Sequence, residues 1–328
     1  MGLKLFITAA WISALACADV AVDETVPDAS LLEIKDTGQR AQDSGSKIPD
    51  SGLSDTQLVD AQAPHARTKS HKRGIAYNLS SSEDFEALEP GVSWWYNWSP
   101  YPSDQTPADV RQRLDMDFIP MMWNGNYQSE DIEAMLEAAP HIEYLLVLNE
   151  PNLVDQANMT PQAAAELWPK YEAIARNTGV KIIGPAITWG TFAGYEDPVV
   201  WLDVFYATYA AQNDGAEPQI DALAFHWYDY GLNGQLERLT RYGKPFWVTE
   251  FANWHGLWTA PDGAEIDTVE KQIAQMTEMV AVCEQRPDVH RYAWFTGRWD
   301  DDTRHTSLLA GPGQLTALGE HYLSLPFE

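Results

Sequence analysis

Eight short apolar runs, each followed by a stretch with helical signals, organise the chain from residue 73 to its end. They read "RGIAYN" from Arg73, "VSWWYNW" from Val92, "FIPMMWN" from Phe118 and "YLLVLNE" from Tyr144. "KIIGPA" from Lys181, "ALAFHWY" from Ala222, "PFWVTEF" from Pro245 and "RYAWFT" from Arg291 complete the set. Most are continuously apolar rather than alternating, as expected of parallel strands covered on both faces. Between them, Thr106-Pro107 and Thr160-Pro161 read as an N-cap followed by proline at the first helical position. Ser129 with Glu130 and Asp131 opens another helix, Gly179 stops one, and Asp267 to Glu284 has helical spacing of its apolar residues. Eight strands alternating with helices predict an α/β chain folded as a (β/α)8 TIM barrel, which commonly takes about 250 residues. A doubly wound open sheet is the alternative.

The segment before the barrel has a different character. Lys4 and the apolar run Leu5 to Ala16 read as an export signal over residues 1–18, too short to span a bilayer. "ALAC" leaves two outcomes, simple cleavage or a bacterial lipid anchor on Cys17, so the expected location is extracellular, either secreted or lipid-anchored at the cell surface. Residues 19–70 contain no Phe, Trp or Tyr and are rich in Asp, Ser, Gln and Ala. Such a segment cannot bury enough apolar surface to offset its ordering entropy, which predicts a disordered acidic linker. The catalytic domain is expected over residues 71–328. Cys283, left alone once Cys17 is cut away or lipidated, reads as a small buried hydrophobe.

In such a barrel the active site gathers where strands end. Polar residues stand at the tail of nearly every run: Asn78, Asn97, Asn124, Asn149 with Glu150, His226 and Glu250. Glu150 ends the fourth strand and Glu250 the seventh, so the two can face each other across the barrel mouth. Two carboxylates about 5 Å apart suit retaining glycoside hydrolysis, one as nucleophile and one as acid/base. Glu150, after four apolar residues, should be partly desolvated and raised in pKa, as a general acid requires. His226 and Tyr228 are the expected hydrogen-bonding supports of Glu250, and Asn149 is placed to bond the 2-hydroxyl of the sugar. Trp94, Trp95, Trp168, Trp201 and Trp247 read as packing. Trp123, Trp254, Trp258 and Trp294, at strand ends or in the loops beyond, are expected to offer indole faces to sugar rings.

"RGIAYN", "SWWYNWSP", "FIPMMWN", "LNEPN", "FHWYD", "WVTEFANW" and "RYAWF", in this order, resemble glycoside hydrolase family 128. The resemblance covers roughly Lys72 to Leu325 and implies a (β/α)8-barrel endo-β-1,3-glucanase with Glu150 as acid/base and Glu250 as nucleophile. "TWGTFAG" (Thr188 to Gly194) departs from the family's pattern.

The net charge of −27 repels nucleic acid and polyanionic sugars and favours a neutral partner. The expected partner is therefore a neutral β-glucan, acted on by a monomer whose one membrane link would be a lipid on Cys17. No cofactor or metal is expected, since no HExxH or similar ligand cluster occurs. The alternatives are a β-1,4-glucanase or β-mannanase, or a non-catalytic glycan-binding barrel that uses the same aromatics without the carboxylates.

Overall fold

A computed structural model describes residues 69–257 and 261–327. The signal segment, the linker as far as residue 68 and Trp258 lie outside the described residues. Nine strands form one parallel sheet: β1 (Arg73–Ala76), β2 (Trp94–Tyr96), β3 (Asp117–Phe118), β4 (Met121–Met122), β5 (Tyr144–Val147), β6 (Lys181–Ile187), β7 (Ala222–Trp227), β8 (Phe246–Phe251) and β9 (Val289–Trp294). Their order is β3-β2-β1-β9-β8-β7-β6-β5-β4. The two outermost strands, β3 and β4, are halves of one run separated by Ile119 and Pro120. Ile119 N–H donates to the Trp95 carbonyl at 2.9 Å, while the Pro120 carbonyl accepts from Leu146 N–H at 2.9 Å. The run thus bonds β2 with its first half and β5 with its second, and the sheet closes as an eight-stranded barrel. Proline, with no N–H to give the ladder, marks the break.

A helix follows every barrel strand: α1 (Ser82–Leu88), α2 (Val110–Leu114), α3 (Ser129–Ala138), α4 (Pro161–Thr178), α5 (Pro198–Gln212), α6 (Leu232–Leu239), α7 (Val269–Gln285) and α8 (Ala317–Ser324). A hairpin, β10 (Leu309–Gly311) with β11 (Gln314–Leu315), precedes the last. Thr160 caps α4 by accepting from Ala163 N–H, Pro161 opens it, and Gly179 ends it at φ 83°. Ser129 opens α3 as expected, with Glu130 and Asp131 in its first turn. One expected start differs. Thr106 spends its hydroxyl on the Leu79 carbonyl instead of a helix end, and α2 begins only at Val110.

The foot of the barrel is aromatic. Trp94 and Trp247 pack at 5.3 Å and Trp247 and Tyr144 at 4.9 Å, with the Arg291 guanidinium 4.9 Å from the Trp247 ring. All five tryptophans expected to pack are at most 3% exposed. Gly74 makes this possible, since a Cβ there would lie 2.3 Å from the Trp94 indole. The fold begins earlier than residue 71. Lys69 donates to the Val92 and Leu114 carbonyls, and Ser70 donates to buried Glu284 at 2.6 Å.

Candidate active site

Glu150 is delivered by β5 and then turned by its own backbone. Leu148 and Glu150 stand at φ 55° and 44°, the left-handed region that side chains other than glycine seldom occupy. Glu150 N–H donates to the Ala186 carbonyl of β6 at 2.8 Å, which fixes the turn. Glu250 comes from β8, where the register pairs it with His226 of β7. β3 and β4 count as one barrel strand, so the glutamates close barrel strands four and seven, as the apolar runs imply. Both are 4% exposed.

The imidazole joins them. His226 Nδ1 hydrogen-bonds Glu150 Oε1 at 2.8 Å and lies 3.4 Å from Glu250 Oε2, while Nε2 meets the Thr249 hydroxyl at 2.9 Å. One carboxylate oxygen of each glutamate and a ring nitrogen of His226 fall within 4.8 Å of one another. Glu250 also takes three donors of its own: Tyr96 Oη at 2.8 Å and Trp98 Nε1 at 2.7 Å, both to Oε1, and the Tyr228 hydroxyl to Oε2. Its lone pairs therefore face fixed N–H and O–H groups. Two carboxylates and an imidazole could in principle ligate an ion, but here hydrogen bonds already engage both ring nitrogens and all the carboxylate oxygens except one, Glu150 Oε2.

The same contacts separate the two acids. Burial, with the charge of Glu250 behind it, holds the Glu150 carboxyl above its ordinary range, although the hydrogen bond and charge of His226 pull the other way. Burial lowers His226, but the charge of Glu250 and the bond to Glu150 outweigh it and the net shift is upward. Burial and then the charge of Glu250 push the phenols of Tyr96 and Tyr228 well up, so both remain donors. The two carboxyls thus sit in unlike environments, one raised by burial and the other held by three donors.

The profile of the glycosyl hydrolase catalytic core family matches residues 74–322. The chain belongs to this family. Within it, an endo-β-1,3-glucanase of glycoside hydrolase family 128, subgroup II, from Pseudomonas viridiflava is 60% identical with a TM-score of 0.78. The match covers 80% of this chain and 100% of that one, and places this protein in family 128. A subgroup I endo-β-1,3-glucanase from Amycolatopsis mediterranei, solved with laminaritriose, is 26% identical with a TM-score of 0.58 over 78% of this chain and 100% of that one. Alkali-sensitive linkage protein 1 of Schizosaccharomyces pombe is 27% identical over 270 residues, 78% of this chain but 45% of that protein. The family 128 chain therefore spans under half the length of this curated relative.

The other expected site residues of this glycoside hydrolase are engaged by neighbours. Asn97 donates to Asn78 Oδ1 and the Tyr101 carbonyl, both at 3.0 Å, and so braces a loop. Asn124 accepts from Asn126 N–H and shapes a turn. Asn149 donates to Gln156 at 3.2 Å and keeps its buried Oδ1 without a hydrogen-bond partner. Trp123 is half-buried beside Asn149, whose N–H its carbonyl accepts. Trp294 offers no face: it is fully buried at the end of β9 and its Nε1 donates to the Thr306 carbonyl. Trp254 is 3% exposed, stacked on Tyr228 at 4.0 Å with the Arg304 guanidinium 4.4 Å from its ring. Its role is to back Tyr228.

Tyr96 and Trp98 are the residues the sequence reading misses. Trp94 and Tyr96 lie two apart on β2 and share a face, whereas Trp98 stands beyond the strand at φ 61°. Because Trp94 packs inside the barrel against Trp247, that parity carries Tyr96 inward, and the turn after β2 brings the Trp98 indole to Glu250.

Proposed function

We propose that this protein is a retaining endo-β-1,3-glucanase that hydrolyses neutral β-1,3-glucan by double displacement. The observation that carries the reading is the pair Glu150 and Glu250, with oxygens within 4.8 Å in two unlike environments. That spacing suits attack by one carboxylate and leaves no room for a water between them, the condition for retention. Glu250, steadied by Tyr96, Trp98 and Tyr228, attacks the anomeric carbon, while Glu150 protonates the departing glycosidic oxygen. A covalent glycosyl–Glu250 ester forms. Glu150, now a carboxylate, takes a proton from water, and the water displaces Glu250 from the opposite face. His226 holds Glu150 through both steps and returns it to position.

The linkage rests on membership of family 128 and on the relative solved with laminaritriose. Export of the chain, free or anchored at Cys17, belongs to the same reading, supported by Lys4 and the apolar run after it, and action as a monomer is proposed with it. A reducing-sugar assay on laminarin, lichenan, cellulose and mannan tests the substrate. Release from laminarin, with the β-anomer forming first by proton NMR, is the expected result. Release from cellulose or mannan and none from laminarin overturns the linkage, and an α-anomer formed first overturns the mechanism.

A further inference from the structure

The loop after β6 holds one indole in the open. Trp189 is 38% exposed, the one exposed tryptophan among the described residues. It is not loose. Its Nε1–H donates to Gln235 Oε1 at 2.9 Å, and the Arg238 guanidinium lies 5.0 Å from the ring centroid. Arg238 is itself pinned by an ion pair with Asp197 and a bond to Gln235 at 3.2 Å. Gln235 and Arg238 both project from α6, so a helix braces the ring from below.

The backbone under the ring is stapled to the segment that carries the general acid. Asn152, two residues past Glu150, donates from Nδ2 to the Thr188 carbonyl at 2.6 Å. The Asn152 carbonyl accepts from Thr191 N–H at 3.1 Å and Phe192 N–H at 2.9 Å. Gly190 allows the approach, for a Cβ there would lie 2.0 Å from that carbonyl oxygen. Thr188 also donates to the backbone carbonyl of His226, the residue that holds Glu150.

We propose that Trp189 is a stacking platform for a glucosyl unit on the leaving-group side of the cleaved bond. The leaving oxygen takes its proton from Glu150, and the Trp189 loop is bonded to Glu150's own segment. Tyr96 and Trp98, which support the nucleophile, come instead from β2 and the loop beyond it, well round the barrel from β6. A chain lying between the carboxylates therefore runs past Glu150 toward the β6 loop as it leaves. The ligand class is a neutral β-linked gluco-oligosaccharide, whose axial C–H groups meet the indole. A braced ring loses little freedom on binding, which favours affinity. This inference rests on the glucanase reading and adds a subsite to it.

The test compares Trp189→Ala and Trp189→Phe on laminaritriose through laminarihexaose and on an aryl β-laminaribioside, which has no sugar on the leaving side. Expected for the alanine variant is a fall in kcat/KM on the order of tenfold on the longest oligosaccharide, shrinking as the chain shortens and least on the aryl substrate. The phenylalanine variant should recover most of the loss. In a Glu250→Gln background, calorimetric titration with laminarihexaose should show a weaker Kd by a similar factor when Trp189 is also alanine. An equal loss on the aryl substrate and on the hexaose would make Trp189 structural, and no loss on either would remove it from the cleft; both overturn the proposal. If the unaltered enzyme cleaves the aryl compound yet no β-1,3-glucan, the glucanase reading fails, and the platform with it.

Discussion

Glu150 and Glu250 carry the same functional group, and the proposed division into acid and nucleophile rests on their neighbours alone. His226 is the neighbour with the most leverage, because it opposes the burial that lifts Glu150. That opposition gives a prediction with a definite sign. His226→Asn removes a hydrogen bond and a charge that favour the Glu150 carboxylate, so Glu150 should hold its proton to higher pH. The alkaline limb of kcat/KM, read in a pH series, is expected to move upward even as kcat falls. A limb that moves downward would mean that His226 does not tune the acid. The carboxylates were legible because a strand that ends in a charged residue is conspicuous among apolar ones. Tyr96 and Trp98 were harder to find: aromatic side chains look like core, the period-two alternation from Trp94 marks only Tyr96, and Trp98 reaches Glu250 from a turn beyond the strand.

At the scale of elements, strand number and order followed from the apolar runs, since a strand buried on both faces has little choice of residue type. Helix starts were less legible. Thr160 with Pro161 caps as expected, but Thr106 with Pro107 does not, because the Thr106 hydroxyl finds the Leu79 carbonyl instead. Local capping chemistry competes with tertiary partners that a local reading cannot see. The barrel's aromatic foot makes a sharper demand. Gly74→Ala places a methyl group 2.3 Å from the Trp94 indole, in a layer where Trp247 and Arg291 prevent retreat. Overpacking of this kind costs about 1–3 kcal/mol. Thermal unfolding followed by circular dichroism should show a fall of several degrees, at roughly 2–4 °C per kcal/mol for a domain of this size. An unchanged Tm would mean that the indole layer yields more readily than its packing implies.

Over the whole molecule, the two ends of the barrel's chain meet at one buried cluster. Ser70 and Tyr292 both donate to Glu284, Arg73 donates to Tyr292 at 2.9 Å, and the same guanidinium holds the Tyr322 and Leu325 carbonyls at 2.8 Å each. The cluster links the entry segment, the first and last barrel strands and the last two helices. It explains why the expected boundary at residue 71 falls short: Lys69 and Ser70 carry no apolar signal, and their burial is earned by hydrogen bonds to residues far along the chain. A chain trimmed to begin at His71 leaves Glu284 with one donor fewer and frees the Val92 and Leu114 carbonyls from Lys69. Each such loss costs about 1–3 kcal/mol. Differential scanning calorimetry should place its Tm well below that of a chain beginning at Arg67. Equal values would make the two residues ornamental.

The turn that aims Glu150 has a consequence for the enzyme's tolerance of heat. A buried carboxyl at φ 44°, facing a second carboxyl, sits where the fold would gain from a neutral side chain. Its folded pKa lies above the ordinary value of 4.5, so the native state binds the proton more tightly than the unfolded chain does. Stability is therefore fully present below that value and is lost as pH rises through the raised one. Glu150→Gln cannot ionise and keeps a group able to meet His226. Its Tm should exceed that of the parent enzyme, by a margin that widens as pH rises above 4.5, while activity on laminarin falls about 10²–10⁴-fold. A margin that narrowed with pH would contradict the assignment of the proton to Glu150. Selection for heat resistance alone would thus reach this position early and return a sturdier protein that no longer cuts glucan.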